Sequence, residues 1–321
     1  MSIPQRLADS VLTNPGSDRV RSVAGLARRS ARSRTGRFLA EGPQCAREAL
    51  RAHLGEFASP RPETGVVEAL YLTAAALERH PDIAELTERL LEPAASPRAF
   101  VRLVSDEVLH AMTDAEHPQG IVAVCRIPQP SWEQILRSGP RLVAVLCRVQ
   151  DPGNAGTVLR AADAAGADAV VLTAGSVDLH NPKTVRSTAG SLFHLPVLAG
   201  ADLADLEPGR MQVLAADGYG ALDLDVLQDA SAAGLPAAVD LARPTAWLFG
   251  NEAQGLSEAE KARAAHGVAV PLHGAAESLN VGTAATLCLY ASARAQRRST
   301  SAAAGAAAAS TAARPAEAPR S

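Results

Sequence analysis

Short apolar segments alternate with helical patterns through residues 141–298. The apolar runs of strand length are 142–147, 168–173, 212–217, 245–250 and 268–271. Because the centres of these runs are continuously apolar, both faces of each strand are expected to be buried. Helices between such strands predict an α/β domain with a parallel sheet covered on both sides. In such a sheet the ligand site lies beyond the carboxyl ends of the strands.

Two helix starts in this region carry capping signals. Asn181 precedes Pro182, and proline is favoured at the first helical position. Ser257 has Glu260 three residues later, which is the pattern of a capping box. Both positions are therefore predicted to begin helices.

The first half of the chain predicts a second, smaller domain. Residues 19–126 mix short apolar runs with helical periodicity, typical of a small α/β domain, and show no catalytic cluster. Pro128 and Pro130 stand among polar residues and indicate a linker over 127–140. Residues 1–18 are expected to form a flexible N terminus. The Ala-rich segment 299–321 has no apolar face to bury and is expected to be disordered.

Positive charge is concentrated near the N terminus. The formal net charge is −3, but residues 19–37 hold seven arginines and no acidic residue. A basic segment of this kind can follow a phosphate backbone. It can equally be a solvated, partly helical terminus.

The remaining composition narrows the class of protein. Four scattered cysteines form no CxxC pair, and no histidine stands at metal-binding spacing, so we expect reduced, mostly buried thiols and no metal. The sequence has no secretory signal and no apolar run of about 18 residues, so we expect a cytoplasmic protein.

Three glycine-containing loops follow predicted strands, at 151–156, 248–257 and 271–280. Their glycine spacing fits neither GxGxxG nor GxxxxGK, which disfavours a nicotinamide-dependent oxidoreductase. Single residues in these loops also have structural interpretations. Asn154 can cap a helix, and Glu252 can favour the next helix N terminus.

The three loops together resemble a known family. DPGNAGTVLRAADAAGAD, LFGNEAQGLS and VPLHGAAESLNVGTAATL are similar, in that order, to motifs one, two and three of the SpoU/TrmH family of SPOUT RNA 2′-O-methyltransferases, over residues 141–297. GRFLAEGPQCAREAL and VSDEVLHAMTDAEHPQGIVAV resemble the substrate-binding domain of the ribosomal-RNA members.

The resemblance implies a fold and a partner. It implies a C-terminal parallel-sheet domain with a deep trefoil knot that binds S-adenosylmethionine, preceded by a small α/β RNA-binding domain similar to a ribosomal protein. It also implies a homodimer and an RNA substrate. The arginines that become candidate RNA contacts are Arg28, Arg29, Arg32, Arg34 and Arg37.

The resemblance also implies site residues. Arg160 matches the arginine that activates the ribose hydroxyl, although taken alone it is typical of a surface arginine. Because the pKa of an arginine exceeds about 12, we expect Arg160 to stabilise charge rather than to act as a base. The other catalytic candidates are Asn154, Glu252, Ser278 and Asn280. The cofactor-binding candidates are Leu248, Gly250, Val270, Leu272 and Leu279.

One position departs from the family pattern. Members commonly have serine after SLNV, whereas this chain has Gly282. Any hydrogen bond assigned to that serine is therefore in doubt, while Ser278 and Asn280 match the pattern.

Several functions stay open at this level. Methylation of ribosomal RNA, most readily 23S rRNA, is favoured by the N-terminal domain. Methylation of tRNA is an alternative within the same class. A different class is a non-catalytic RNA-binding or ribosome-assembly factor with a vestigial cofactor pocket. The sequence does not name the nucleotide, and it leaves a housekeeping and an antibiotic-resistance role equally open.

Overall fold

The computed structural model describes residues 3, 7, 11–57, 64–95, 97–206 and 209–312. Within them the chain forms two sheets, one in each half, joined by helices. The predicted α/β class and the smaller first domain are confirmed.

A four-stranded mixed sheet forms the first domain. Its strands are β1 Arg37–Glu41, β2 Val67–Leu72, β3 Phe100–Leu103 and β4 Ile121–Arg126. Their order is β1-β4-β2-β3, with β4 antiparallel to both of its neighbours and β2 parallel to β3. The helices are α1 Asp18–Ala24, α2 Arg29–Thr35, α3 Gly42–His53, α4 Ala74–Arg79, α5 Pro81–Leu90 and α6 Asp106–Met112.

A seven-stranded, wholly parallel sheet forms the second domain. Its strands are β5 Leu142–Leu146, β6 Ala169–Thr173, β7 Val197–Ala201, β8 Gln212–Ala216, β9 Leu222–Asp223, β10 Thr245–Phe249 and β11 His266–Ala269. The order is β7-β6-β5-β10-β8-β11-β9. Every residue of β5, β6 and β10 is buried, as the continuous apolar runs predict. The short strands β7 and β9 were not predicted.

Helices cover this sheet. They are α7 Trp132–Arg137, α8 Pro152–Ala165, α9 Pro182–Ser187, α10 Leu224–Ala233, α11 Glu258–Lys261 and α12 Val281–Ala312. The Asn181 cap and the capping box of Ser257 with Glu260 are both present. Helix α10 was not predicted.

The expected linker over 127–140 is wrong as an extended connection. It contains α7, which Ser131 caps through a capping box with Gln134. Trp132 and Ile135 are buried against the parallel sheet. The apolar stripe of one short helix therefore assigns this segment to the second domain.

Both chain ends also differ from expectation. Leu12 pairs with Val104 in an isolated β-bridge, and Ile3 and Leu7 are buried, where a flexible N terminus was expected. Helix α12 continues to Ala312, through the first part of the tail expected to be disordered. The high helix propensity of alanine explains the continuation. Residues 313–321 lie outside the described part of the chain.

The four cysteines agree with their prediction. All are free and buried, and burial raises the pKa of Cys45 to about 11 and of Cys147 and Cys288 to about 12.

Among the described residues, no helix is both long and apolar enough to cross a bilayer. Within the same residues, no cluster of three or more potential ligands is arranged to hold a metal.

The two domains share one hydrophobic core. The Phe38 ring of β1 lies 4.7 Å from the His180 ring and 6.0 Å from the Phe193 ring, measured between centroids. Arg186 of α9 donates a hydrogen bond to the buried carboxylate of Glu41. The first domain is therefore packed onto the second rather than tethered by a flexible segment.

His194 adds an ionisable contact between the domains. Its Nδ1 lies 2.7 Å from Asp163 Oδ2 of α8, and its Nε2 lies 3.2 Å from Glu48 Oε2 of α3. The hydrogen bond with Asp163 is the main cause of a raised pKa of His194, and Glu48 adds to it. Asp163 is desolvated, but hydrogen bonds from His194 and Ser191 outweigh this and lower its pKa.

We expect this contact to make stability depend on pH. A histidine whose pKa is raised on folding stabilises the protein below its unfolded pKa of about 6.5, and this stabilisation disappears as pH rises through the folded value. His194→Gln should therefore flatten the fall in unfolding free energy as the pH rises above about 6.5. Urea unfolding at several pH values measures it.

The exposed His117 is the matched control. His117→Gln should leave the pH profile of the wild type unchanged. A His194→Gln profile that falls as steeply as that of the wild type would show that the contact does not couple stability to pH.

Candidate active site at the carboxyl edge of the parallel sheet

The first motif loop joins β5 to α8. Asp151 caps α8 by accepting a hydrogen bond of 2.8 Å from the backbone N–H of Asn154, with Pro152 at the start of the helix. The interpretation of Asn154 as the cap is therefore wrong. Because Asp151 fills that position, the Asn154 side chain is left to make other contacts.

A chain of hydrogen bonds joins the three motif loops. Asn154 Nδ2 donates to Glu252 Oε1 at 2.9 Å. Asn280 Nδ2 donates to Asn154 Oδ1, also at 2.9 Å. Asn280 Oδ1 in turn accepts from the backbone N–H of Gly282 at 2.8 Å, at the start of α12. Three of the predicted catalytic side chains thus meet although they lie far apart in the sequence.

The second motif loop, residues 250–257, is held by a residue that the sequence did not single out. Arg148 pairs bidentately with Glu260 at 2.8 and 2.9 Å, and this lowers the pKa of Glu260. Asn251 Nδ2 donates to the Arg148 carbonyl at 2.9 Å. Arg148 also has a φ of 56°, unusual for a non-glycine residue. The only signal in the sequence was its place between a strand and a motif.

Gly250 has a steric reason to be glycine. A Cβ there would collide with the backbone of Gly255 and Leu256, where the loop turns back on itself. A backbone turn this tight presents Glu252 at a defined position beside Asn154.

The third motif loop is rich in unpaired backbone groups. Among the described residues, none of the backbone groups from 271 to 279 makes a hydrogen bond within the protein. Val270 and Leu279 are half-buried, Leu272 is 39% exposed, and Ser278 is exposed. This loop combines free donors and acceptors with an accessible apolar surface.

Two predicted site residues, Leu248 and Arg160, lie outside the hydrogen-bond chain of the motif loops. Leu248 is fully buried within β10, paired with β5 and β8, so its side chain is closed inside the core. Its side chain is therefore not open to a cofactor, and its assignment to the cofactor site stays a prediction. Arg160 lies on the exposed face of α8, two turns from its start, and its side chain makes no hydrogen bond or ion pair with any described residue.

Close helix packing explains two glycines. A Cβ at Gly156 would collide with Ser187 of α9. A Cβ at Gly282 would lie 2.7 Å from Thr157 Cγ2 and 3.1 Å from Asn280 Oδ1. The departure from the family pattern at Gly282 is thus matched by a branched residue at 157, whose methyl group occupies the space of the missing side chain.

The arginines of residues 19–37 fall into two groups. Four have partners: Arg19 stacks on Phe100, Arg21 pairs with Asp18, Arg32 pairs with Asp178, and Arg37 pairs with Glu68. The other three are exposed, and their side chains have no hydrogen bond or ion pair with any described residue: Arg28, Arg29 and Arg34.

Arg32 is the clearest departure from the predicted RNA contacts. Its side chain is only 3% exposed, lies 2.5 Å from Asp178 Oδ2, and donates to the carbonyls of Leu26 and Ala27. It is occupied in joining the two domains.

Several known proteins are similar to this chain in sequence and in fold. Residues 141–290 match the SpoU rRNA Methylase family, and residues 17–123 match the MRM3-like substrate binding domain. The 23S rRNA (guanosine(2553)-2′-O)-methyltransferase of Bacillus subtilis is 38% identical over 59% of this chain and 70% of the relative. A 23S rRNA (uridine(2479)-2′-O)-methyltransferase of Streptomyces viridochromogenes is 31% identical over 60% of this chain and 67% of the relative.

A solved structure has a similar fold across both domains. The SpoU methyltransferase AviRb of Streptomyces viridochromogenes, in complex with the cofactor AdoMet, superimposes with a TM-score of 0.68 and 28% identity. The match covers 88% of this chain and 100% of that one. Fold and motif loops define a methyltransferase of the SPOUT type. The chain belongs to the SpoU rRNA methylase family.

The third loop fits S-adenosylmethionine. Its unpaired backbone groups suit the adenine edge and the amino acid end of the cofactor, and its apolar side chains suit the faces between them. Gly250, Val270, Leu272 and Leu279 stand where the family motifs locate cofactor contacts, so the residues present are compatible with this group.

Gly282 and Thr157 provide a test of the motif packing. We expect Gly282→Ser to lower the free energy of unfolding by about 1–3 kcal/mol, because the added atoms collide with Thr157 in a tightly packed helix crossing. Thr157→Ala should recover much of this stability in the double variant. Urea unfolding of the four proteins in the double-mutant cycle measures the coupling.

A coupling energy within error of zero would contradict this account of the departure. Gly218→Ser is the control, because Gly218 has open space around it and lies outside the motif helices, so no coupling with Thr157→Ala is expected.

Proposed function

We propose that this chain transfers a methyl group from S-adenosylmethionine to a ribose 2′-hydroxyl of 23S ribosomal RNA in the cytoplasm. The observation that carries the proposal is the hydrogen-bond chain from Glu252 through Asn154 to Asn280, which joins all three family motifs at one edge of the sheet. The relatives named as 23S rRNA 2′-O-methyltransferases support the substrate class.

The reaction needs alignment more than activation. The cofactor supplies a methyl group already activated by the positive sulfur. With the cofactor bound, the ribose O2′ would bond to the methyl carbon as the carbon–sulfur bond breaks, leaving the neutral thioether, and the hydroxyl proton would pass to solvent water. Holding oxygen, carbon and sulfur in line can contribute up to about 7–11 kcal/mol. The tight turn at Gly250 and the first turn of α8 at Asn154 serve this purpose.

Arg160 supplies positive charge for the substrate. Its guanidinium is exposed and has no partner on its own chain among the described residues. An arginine stays protonated, so its role is to hold a phosphate and to stabilise negative charge developing on O2′. Asn154 and Glu252 position the hydroxyl, while Ser278 and Asn280 shape the wall on the cofactor side.

The cofactor is held by backbone and apolar groups. Gly250 and the unpaired backbone of residues 271–279 offer donors and acceptors. Val270, Leu272 and Leu279 offer apolar contact.

The assembly is proposed from the family and from exposed apolar residues. Leu287 and Tyr290 of α12 are each 44% exposed and stand three residues apart, so they share one face of the helix. We propose that this face pairs in a homodimer and that the second domain carries the trefoil knot of its family. The position of β10 between β5 and β8 is in keeping with such a knot.

The first domain is proposed to bind the RNA. Its contacts are Arg28, Arg29 and Arg34, the three arginines that have no intramolecular partner among the described residues. Arg32 and Arg37 are not included in this proposal because their charges are compensated by Asp178 and Glu68.

Methyl transfer with and without Arg160 tests the proposal. Labelled S-adenosylmethionine is incubated with the protein and either rRNA of both subunits or total tRNA, and ribose methyl groups are mapped. We expect one labelled 2′-hydroxyl in 23S rRNA and a fall in turnover of about 10²–10³-fold in Arg160→Ala, since a charge-stabilising group is removed. Cofactor affinity, measured by calorimetry, should change by less than about twofold.

Arg137→Ala is the control, because Arg137 is an exposed arginine on α7, away from the motif loops. If label appeared only in tRNA, the substrate would be tRNA rather than 23S rRNA. Cofactor binding without label in any RNA, or no cofactor binding at all, would refute the enzymatic function. Unchanged turnover of Arg160→Ala would refute the role of that residue.

Salt dependence tests the arginine assignment. Removing one arginine–phosphate interaction should reduce the slope of log K against log salt by about 0.7–0.9. We expect the double variant Arg28→Ala, Arg34→Ala to lower the slope by about one to two in filter binding with 23S rRNA. Arg137→Ala should leave it unchanged, and an equal slope in the double variant would contradict the assignment.

A further inference from the structure

A cleft of about 440 Å³ opens between the two domains. One wall is α2 of the first domain, with Arg29 and Ser33, and Gln129 extends it. The opposite wall is the turn after β6, with Gly175 and Ser176. Pockets of about 300–1,000 Å³ commonly hold small ligands, so the volume suits one nucleotide.

The cleft lies on the same edge of the sheet as the candidate active site. The turn after β6 and the motif loops after β5 and β10 all follow carboxyl ends of parallel strands. Neighbouring strands are about 4.8 Å apart, so β6 lies about 10 Å from β10. Gly175 is also close to Arg148, because a Cβ on it would lie 3.6 Å from Arg148 Cγ. The cleft is therefore next to the motif loops rather than on a separate face.

The walls of the cleft suit a nucleotide. Arg29 is exposed at the rim and unpaired among the described residues, so its charge is available to a phosphate. Ser33, Gln129 and Ser176 offer hydroxyl and amide groups to a sugar or a base edge. The positive charge of Arg29 is extended along the same segment by Arg28 and Arg34.

The floor of the cleft is incompletely satisfied. Arg32 Nε and His180 Nε2 belong to residues that line it, and both are buried without a hydrogen-bond partner among the described residues. Burial lowers the pKa of His180 to about 4, so its ring is neutral near pH 7. Because both atoms are polar and unpaired, the floor of the cleft suits a polar occupant better than an apolar one.

The cleft is held at a fixed width. At the floor of the cleft, Arg32 of the first domain and Asp178 of the second form an ion pair of 2.5 Å. Beside it, Phe38 of the first domain packs on the His180 ring of the second. Because the cleft is already formed before binding, little binding free energy is lost in ordering its walls.

We propose that this cleft binds one unpaired nucleotide of the RNA substrate, a near neighbour of the methylated nucleotide, with Arg29 on its phosphate. The proposal rests on the proposed function. Single-stranded RNA is recognised by splaying bases out of their stack into pockets, and a cleft beside the motif loops receives the strand as it leaves them. The cleft thus links the basic helix to the catalytic edge.

A bulky side chain in the cleft tests the proposal. Ala199, an exposed residue of β7, lines the cleft. We expect Ala199→Trp to raise the KM and Kd for 23S rRNA about tenfold or more, with kcat and the affinity for S-adenosylmethionine nearly unchanged, because the indole obstructs RNA alone. Ala237→Trp is the control. Ala237 is exposed and precedes the amino end of β10, at the opposite edge of the sheet.

A tethered probe locates the RNA directly. The four native cysteines are buried, so Gln129→Cys provides a single reactive thiol at the exposed rim of the cleft. An iron chelate attached there should cleave the RNA within a few nucleotides of the methylated ribose. The same chelate on Ala237→Cys should not.

The outcomes separate the two proposals. Wild-type protein that methylates RNA, together with an Ala199→Trp variant of unchanged RNA KM and a Gln129→Cys probe that cuts far from the methylated ribose, would overturn the cleft site alone. Absence of methyl transfer by the wild type would overturn both. A raised KM with cleavage next to the methylated nucleotide is the result expected.

Discussion

The candidate active site depends on one asparagine side chain that donates and accepts at the same time. The Asn154 amide gives a hydrogen bond to Glu252 and takes one from Asn280, so that it joins loops whose residues are 98 and 126 positions away in the sequence. An aspartate of the same shape could not donate to a carboxylate. This double contact is available because Asp151 caps α8 and leaves the Asn154 side chain unoccupied. The parallel sheet then brings the three loops to one edge.

The second constraint is the packing between the domains. An RNA-binding domain on a flexible tether would search for its substrate independently of the site. Here Phe38, Glu41 and Arg32 of the first domain are buried against the second. Removing one partner of a buried ion pair costs about 3–5 kcal/mol, so the contact of Arg32 with Asp178 resists separation. The basic helix α2 therefore has a fixed position relative to the catalytic edge.

Charge is distributed in accordance with this arrangement. Four of the seven N-terminal arginines have partners within the protein, and three face solvent on or beside α2. With Arg160 on α8, these three arginines form the route that we propose for a phosphate backbone across the carboxyl edge. The interdomain cleft lies along that route, next to Arg148 and the loop that it holds.

The sequence alone determined the class of fold, the strands at the centre of the parallel sheet, the helix caps at Asn181 and Ser257, and the residue types of the three motif loops. It could do so because continuous apolar runs, capping pairs and strand-end glycines act over a few residues. The elements β7, β9 and α10 were missed, and the segment of α7 was wrongly assigned, because short half-exposed elements have weak periodicity. Only the tertiary structure showed that Asn154 bridges two loops, that Arg148 holds the second, that Leu248 is enclosed, and that Arg32 is paired with Asp178. Each of these depends on contacts between residues distant in sequence, which the chain forms only when its strands and domains pack together.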